Sequence, residues 1–406
     1  MTATTRVSAA TAPQLIRSPL PVSRVASVDF ARGIAMILMA IDHVRVYSGV
    51  AAGGPTPGIF FTRWITHFVA PAFVFLAGTA AYLHGRKLAS RSALSRFLLV
   101  RGAWLILLEL TIIRLAWTFN FDFAHYMLAG VIWMLGWCMI IMAAAVYLPT
   151  RAVGIIGLLI IALHNVTDLF RGQLGQAFGE AGPNWLLKLL YFGGAVRVGP
   201  SGPPLLILYV IVPWIGVMMV GYAFGSLMER TPEQRRTICL RLGLAATALF
   251  VVLRALDLYG DPRRWHAMKM PAVLAFLNTT KYPASLSFLL MTLGPMLIVL
   301  AFSERWKGRV TEAITTFGRV PMFYYLLHIP LIHLAACVVS LIREGHINPW
   351  LFGNHPLAPP QVPPGYTWNV GLLYLVFALC VTALYFPCRW YARLRATRKS
   401  AWLSYL

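Results

Sequence analysis

Apolar runs near or above the roughly 20 residues needed to cross a hydrocarbon core recur ten times along the chain, near 28–49, 63–83, 96–117, 126–147, 151–167, 205–228, 238–256, 284–303, 319–341 and 369–391. No stretch shows the ten-residue alternation of a membrane-spanning strand. The pattern predicts an all-α fold, a polytopic integral membrane bundle of about ten transmembrane helices. Residues 1–26 hold no acid and no apolar core of a secretory signal, and are expected to form a disordered tail. The transmembrane domain is expected over 27–392 and a basic tail over 393–406.

Composition agrees with this class, since 59% of residues are hydrophobic and 12% charged over a length of 406, far too apolar for an ordinary soluble domain. The net charge of +22 would suit a nucleic-acid binder, but its distribution argues otherwise. With the N-terminus in the cytoplasm, 22 of the 35 Lys and Arg residues fall on the cytoplasmic side and 10 on the other, while Arg32, Arg114 and Arg254 sit inside helices. This bias fits the positive-inside rule with both termini cytoplasmic, and basic runs such as RRTICLR at 235–241 become topology determinants beside anionic membrane lipid. No nucleic-acid partner is expected. The five cysteines lie in or beside apolar segments without CxxC spacing, so neither a disulfide framework nor a metal or redox cofactor is indicated.

The first apolar run carries the most chemistry. Its SVDFARGIAMILMAIDHVR places Asp29, Arg32, Asp42 and His43 in a segment long enough to span a bilayer, where ionisable groups usually mark a working site. Arg32 and His43 lie on one helix face, roughly 16 Å apart, with Asp29 a turn below. A structural reading also exists: a self-neutralising Asp29–Arg32 pair and a histidine bonded to a neighbouring helix. The second run returns with Arg63 and His67 at the level of His43, so Asp42, His43, Arg45, Arg63 and His67 are expected to cluster near the outer face. Asp42 lies about 100° from His43 around the helix, which favours a histidine partner from elsewhere. Glu109, His328 and His333 can line a channel, partner His43 or pair structurally between helices. Asn120, Asp122 and Lys281 sit at outer ends, where contact with a polar acceptor competes with ordinary loop chemistry. Pro71, Pro213, Pro295 and Pro330 are expected to kink their helices, and the long outer connections 168–204 and 342–368 can act as lids or spacers.

RGIAMILMAIDH at 32–43, after its SVD lead-in, resembles the opening signature of the acyltransferase-3 superfamily of membrane acyltransferases. FFTRWITHFVAPAFVFLAGTAAYL at 60–83, followed by a basic loop, is similar to bacterial relatives of heparan-alpha-glucosaminide N-acetyltransferase. Similar fragments follow: IIRLAWTFNFD at 112–122, VPWIGVMMVGYAFG at 212–225, NTTKYPASLSFLLMTLGP at 278–295 and GRVPMFYYLLHIPLIH at 318–333. The resemblance implies a multi-pass protein of the bacterial inner membrane type that takes an acyl group from cytoplasmic acetyl-CoA or another acyl-CoA. The acyl group would go to a glycan or amino-sugar acceptor outside. By the same resemblance Arg32, with Asp29 beside it, corresponds to the acyl-CoA-binding arginine, and His43 to the catalytic histidine. In the animal heparan enzyme the position of His43 corresponds to an asparagine, and its histidine lies in the following loop, where this chain has none. The heparan substrate therefore does not carry over.

The chemistry suits those roles. Thioester acyl transfer needs a base or a transient acyl carrier, and imidazole does either near neutral pH. It also needs cations for the anionic end of CoA. Asp42 and His67 are expected to tune His43, and Arg45 and Arg63 to orient the acceptor; a homodimer is compatible with the chain. The competing reading is a secondary transporter or lipid exporter with an Arg/Glu/His relay, disfavoured by the lack of an inverted repeat.

Overall fold

A computed structural model describes residues 25–54, 56–170, 173–174, 184–197, 199, 202–354 and 361–398. The expected N-terminal tail through residue 24, the Pro-rich 355–360 and most of 171–183 lie outside the described residues. The fold is 74% helical. Eleven principal helices follow in order: α1 (Ala26–Tyr47), α2 (Pro57–Gly85), α3 (Arg91–Leu108, continuing through Glu109–Ile113 and Arg114–Thr118), α4 (Val131–Ala145), α5 (Thr150–Leu169), α6 (Val212–Glu229), α7 (Pro232–Leu256), α8 (Leu286–Ser303), α9 (Arg309–Arg319), α10 (Pro321–Glu344) and α11 (Val370–Thr397).

Seven of these, α2, α5, α6, α7, α8, α10 and α11, are long and apolar enough to cross a membrane. The other three expected spans deviate for visible reasons. α1 has the length but carries Asp29, Arg32, Asp42 and Arg45. α3 begins with Arg91, Arg96 and Arg101 and is interrupted by a π-helical stretch at Glu109–Ile113. α4 has only 15 residues. The remaining helix, α9, fills what reads in sequence as a connecting loop. α11 runs on to Thr397, so the expected tail from 393 begins inside a helix.

Local sequence accounts for the starts. Thr56, Ser90, Thr231, Ser285 and Asn369 each accept a backbone N–H at the first turn of α2, α3, α7, α8 and α11, satisfying donors that have no partner within the helix. Within α2 a 3₁₀ turn at Ile65–Phe68 precedes Pro71, whose ring crowds the carbonyl four residues back. Two expected spans begin later than their apolar runs. Met127–Ala129 and Pro204–Ile207 are strands, β1 and β3, joined by β2 (Gly194–Arg197) in a three-stranded sheet of order β1-β3-β2, parallel between β1 and β3 and antiparallel between β2 and β3. A short apolar run reads the same in a strand as in a buried helix, which hides the sheet from periodicity. Pro213 consequently lies in the first turn of α6, where proline fits, and not in a helix interior.

α1 is the central element, contacting α2, α8, α9, α10 and α11. Glycines set the closest approaches: Gly33 on α1 faces the backbone of Ile314, and Gly318 on α9 faces that of Asp29. Comparable contacts join α2 to α6 at Gly78 and Gly221, and α7 to α8 at Gly243 and Gly294, the small-residue packing that apolar surroundings favour. Gly318→Ala, whose Cβ would meet the Asp29 carbonyl, is expected to cost about 1–3 kcal/mol and lower the thermal unfolding midpoint. Gly58→Ala, with open space around it, should leave the midpoint unchanged.

Candidate functional site

α1 carries its ionisable residues in two groups, one at each end. At its N-terminal end Arg32 Nη1 donates to Asp29 Oδ1 at 3.4 Å and to the Gly318 carbonyl at 3.3 Å. Both residues line a cavity of about 640 Å³ between α1, α2, α3, α4 and α10. Arg32, Lys87, Arg101, Arg319 and Arg395 border it, with Asp29 the one carboxylate among its described lining residues, whereas its depth is apolar, with Val74, Leu105 and Met139. Met36, about two helical turns before His43 on α1, and Tyr325 on α10 also line the cavity.

Toward the other end of α1, Asp42 and His43 point to different partners. Asp42 Oδ1 is 3.0 Å from Arg45 Nε and its Oδ2 is 3.5 Å from Arg63 Nη1. Arg45 also donates to the Val50 carbonyl at 2.9 Å, and Arg63 to Thr66 Oγ1 at 3.0 Å. The buried Lys281 ammonium lies 5.1 Å from the Tyr282 ring; burial, then the neighbouring Arg63, push its pKa down from the ordinary lysine value. The Tyr282 and Tyr209 hydroxyls are 3.4 Å apart. His43 takes no part in the ion pairs: its Nδ1 is 2.7 Å from Nε2 of His328, with Trp117 edge-on at a centroid distance of 4.7 Å. His67 is buried with Phe288 edge-on at 5.4 Å, and its Nδ1 has no hydrogen-bond partner among the described residues.

The remaining predicted residues are held in structural arrangements. Glu109, inside the π-helical stretch of α3, accepts the backbone N–H of Ile132 at 3.0 Å and of Trp133 at 3.3 Å. It thereby serves the otherwise unpaired N-terminus of α4, 23 residues away in sequence. The buried His333 has Nδ1 3.2 Å from the Ala116 carbonyl and its ring between Phe119 and Tyr47. Asn120 donates to the Phe352 carbonyl at 2.7 Å, and Asp122 accepts from Asn354 Nδ2 at 2.8 Å. The Asn354 bond, followed by one from His125, holds the Asp122 carboxyl below the usual range. Both residues adjoin Arg114, whose buried guanidinium donates to the carbonyls of Tyr126, Asn120 and Asp122.

Sequence reasoning did not single out Lys87, Arg101, Arg319 and Arg395 as cavity residues, nor Tyr325 and Asn354. The cations' only sequence signal is membership of basic stretches, which topology alone explains, while Tyr325 falls inside an apolar run and Asn354 in a Pro-rich connection. Among the described residues no group of three or more His, Cys, Asp or Glu side chains is arranged to hold a metal ion, and all five cysteines are free and buried.

A family profile described as heparan-alpha-glucosaminide N-acetyltransferase, catalytic, matches residues 24–259, from the start of α1 into the connection after α7. No curated protein matches the chain significantly. Arg32, Asp42, His43, Arg63 and Glu109 fall within the profile match, while Lys281, His328, His333 and the cavity residues Arg319 and Arg395 lie beyond it.

The Asp42 cluster provides a stability test. Removing its carboxylate leaves two guanidiniums with only neutral partners, so Asp42→Ala is expected to cost about 3 kcal/mol. A second substitution, Arg63→Met, should recover part of that loss in thermal unfolding of the detergent-solubilised protein.

Proposed function

The chain belongs to the heparan-alpha-glucosaminide N-acetyltransferase catalytic family, a membrane N-acetyltransferase type of enzyme, and on that premise we propose that it transfers an acetyl group from cytoplasmic acetyl-CoA to a glycan or amino sugar on the opposite side of the membrane. The observation that carries this reading is the cavity at the N-terminal end of α1, whose described lining residues include five cations and one carboxylate around an apolar interior. Phosphates match guanidinium and ammonium groups, and an extended pantetheine arm fits an apolar passage. That end bears most of the chain's Lys and Arg, which supports a cytoplasmic position for it. Along α1 from Arg32, about 16 Å further, stands His43.

In this reading Arg32, oriented by Asp29 and the Gly318 carbonyl, binds the anionic part of the donor. His43 removes the proton from the acceptor's amine or hydroxyl, or carries the acetyl group briefly. Asp42, Arg45, Arg63 and Lys281 form a polar surface suited to hydroxyl- and amide-rich acceptors. The preformed cluster puts little reorganisation between binding and reaction.

Acetyl-CoA is expected to raise the unfolding midpoint of the purified protein, because a ligand that binds only the folded state stabilises it by mass action. Arg32→Ala should weaken that stabilisation, whereas His43→Ala should retain it and abolish acetyl transfer. Absence of any stabilisation by CoA thioesters of a folded protein would favour the transporter reading; a His43→Ala enzyme with normal turnover would remove the histidine from the reaction.

A further inference from the structure

We propose that His328 is a positioning residue that fixes the tautomer of His43, leaving the His43 Nε2 lone pair free to take the acceptor's proton. This rests on the reading of the protein as an acyltransferase that reacts at His43.

The assignment follows from which groups can donate. His328 Nδ1 lies 2.7 Å from the carbonyl oxygen of Tyr325. A carbonyl only accepts, so this nitrogen carries the hydrogen, and in a neutral imidazole the other nitrogen is then an acceptor. That nitrogen, Nε2, is 2.7 Å from His43 Nδ1. His43 must therefore donate from Nδ1 and hold its lone pair on Nε2. Among the described residues nothing hydrogen-bonds that Nε2. The chain of donors thus runs in one direction, from His43 through His328 to a fixed backbone carbonyl on α10.

Packing holds both rings in place. The His43 and His328 ring planes lie within 26° of each other with centroids 4.8 Å apart, side by side across their hydrogen bond; Trp117 meets His43 edge-on; Tyr324 stacks on His328 at 5.3 Å. His328 is wholly buried. A carboxylate in its place would bring a negative charge into an apolar layer, while the guanidiniums of Arg45 and Arg63 are already engaged by Asp42. A neutral imidazole orients the base without that cost.

In the transfer step the acceptor oxygen or nitrogen bonds to the thioester carbonyl carbon as its proton passes to His43 Nε2. The carbon–sulfur bond then breaks, and the departing thiolate receives that proton to leave as free CoA. While His43 is an imidazolium, its Nδ1–H donates a charge-assisted hydrogen bond to His328 Nε2. Both histidines end the cycle neutral.

Nitrogen-15 NMR of histidine-labelled protein in micelles tests the tautomer directly, with His43→Gln identifying the His43 resonances. The expected result is a protonated Nδ1 and an unprotonated Nε2 on His43; the opposite tautomer overturns the proposal. Kinetics test the consequence. His328→Phe keeps a ring but removes the acceptor, and kcat should fall about 10²-fold with KM for acetyl-CoA unchanged. His328→Gln, whose amide oxygen can accept from Nδ1, should restore most of kcat. An unaltered kcat in His328→Phe, or a Gln variant as slow as the Phe variant, overturns the positioning role. Should His328→Phe fail to fold, the wild-type spectrum still decides. Normal transfer by His43→Ala, together with the expected His43 resonances, would instead refute the reading of the site on which the proposal stands.

Discussion

An ionisable side chain in an apolar layer needs a partner, because the desolvation of an isolated charge exceeds what packing can return. α1 carries several such groups, and the arrangement of the bundle around it follows from where their partners come from. Arg32 reaches the carbonyl of Gly318 on α9, Asp42 reaches Arg63 on α2, and His43 reaches His328 on α10. Each contact fixes the register of a different helix against the same central one. The glycines at 33 and 318 let α1 and α9 approach closely enough for the Arg32 contact to form.

The two ends of the bundle are built differently. The basic end opens into a cavity, while the opposite end is covered by connections tied down from below. Two fully buried arginines act as anchors there. Arg114 donates to carbonyls in the connection after α3, and Arg254 donates to the carbonyls of Arg263, Ala275, Phe276 and Asn278 in the connection after α7. Asp261 completes the second anchor by accepting from Thr280 and Ser285. A guanidinium offers five donors in a plane, which suits it to gathering several carbonyls of an irregular loop. These arginines therefore read as scaffolding for the far end, and the pairing of Asn120 and Asp122 with Asn354 belongs to the same scaffold.

Much of the helical order is legible in the chain, because long apolar runs bounded by Ser, Thr, Asn and Pro leave little choice of structure in a membrane. The exceptions have physical causes. α9 has 11 residues and a polar face, so it lacks the apolar length that marks a span. β1 and β3 have three and four residues, too few for a period to declare itself. In the site, the pairing of Arg32 with Asp29 is local and readable from an i,i+3 spacing. The pairing of His43 with His328 spans 285 residues, and no feature near either histidine announces the other. Glu109 shows the reverse difficulty: its acidity in an apolar run suggests chemistry, yet the structure uses it to serve the start of α4. The cavity cations are scattered over α1, α3, α9, α11 and the connection between α2 and α3, so only folding brings them together.

In the proposed reaction one helix carries the donor from its charged end to the histidine at the other. An electron cryo-microscopy map of the full chain with a non-hydrolysable thioether analogue of acetyl-CoA tests it most directly. The expected map shows phosphate density beside Arg32, Lys87, Arg101 and Arg395, a pantetheine arm running along α1, and the acyl carbon next to His43 Nε2. An analogue bound outside the cavity, or one whose acyl group ends away from His43, would contradict it.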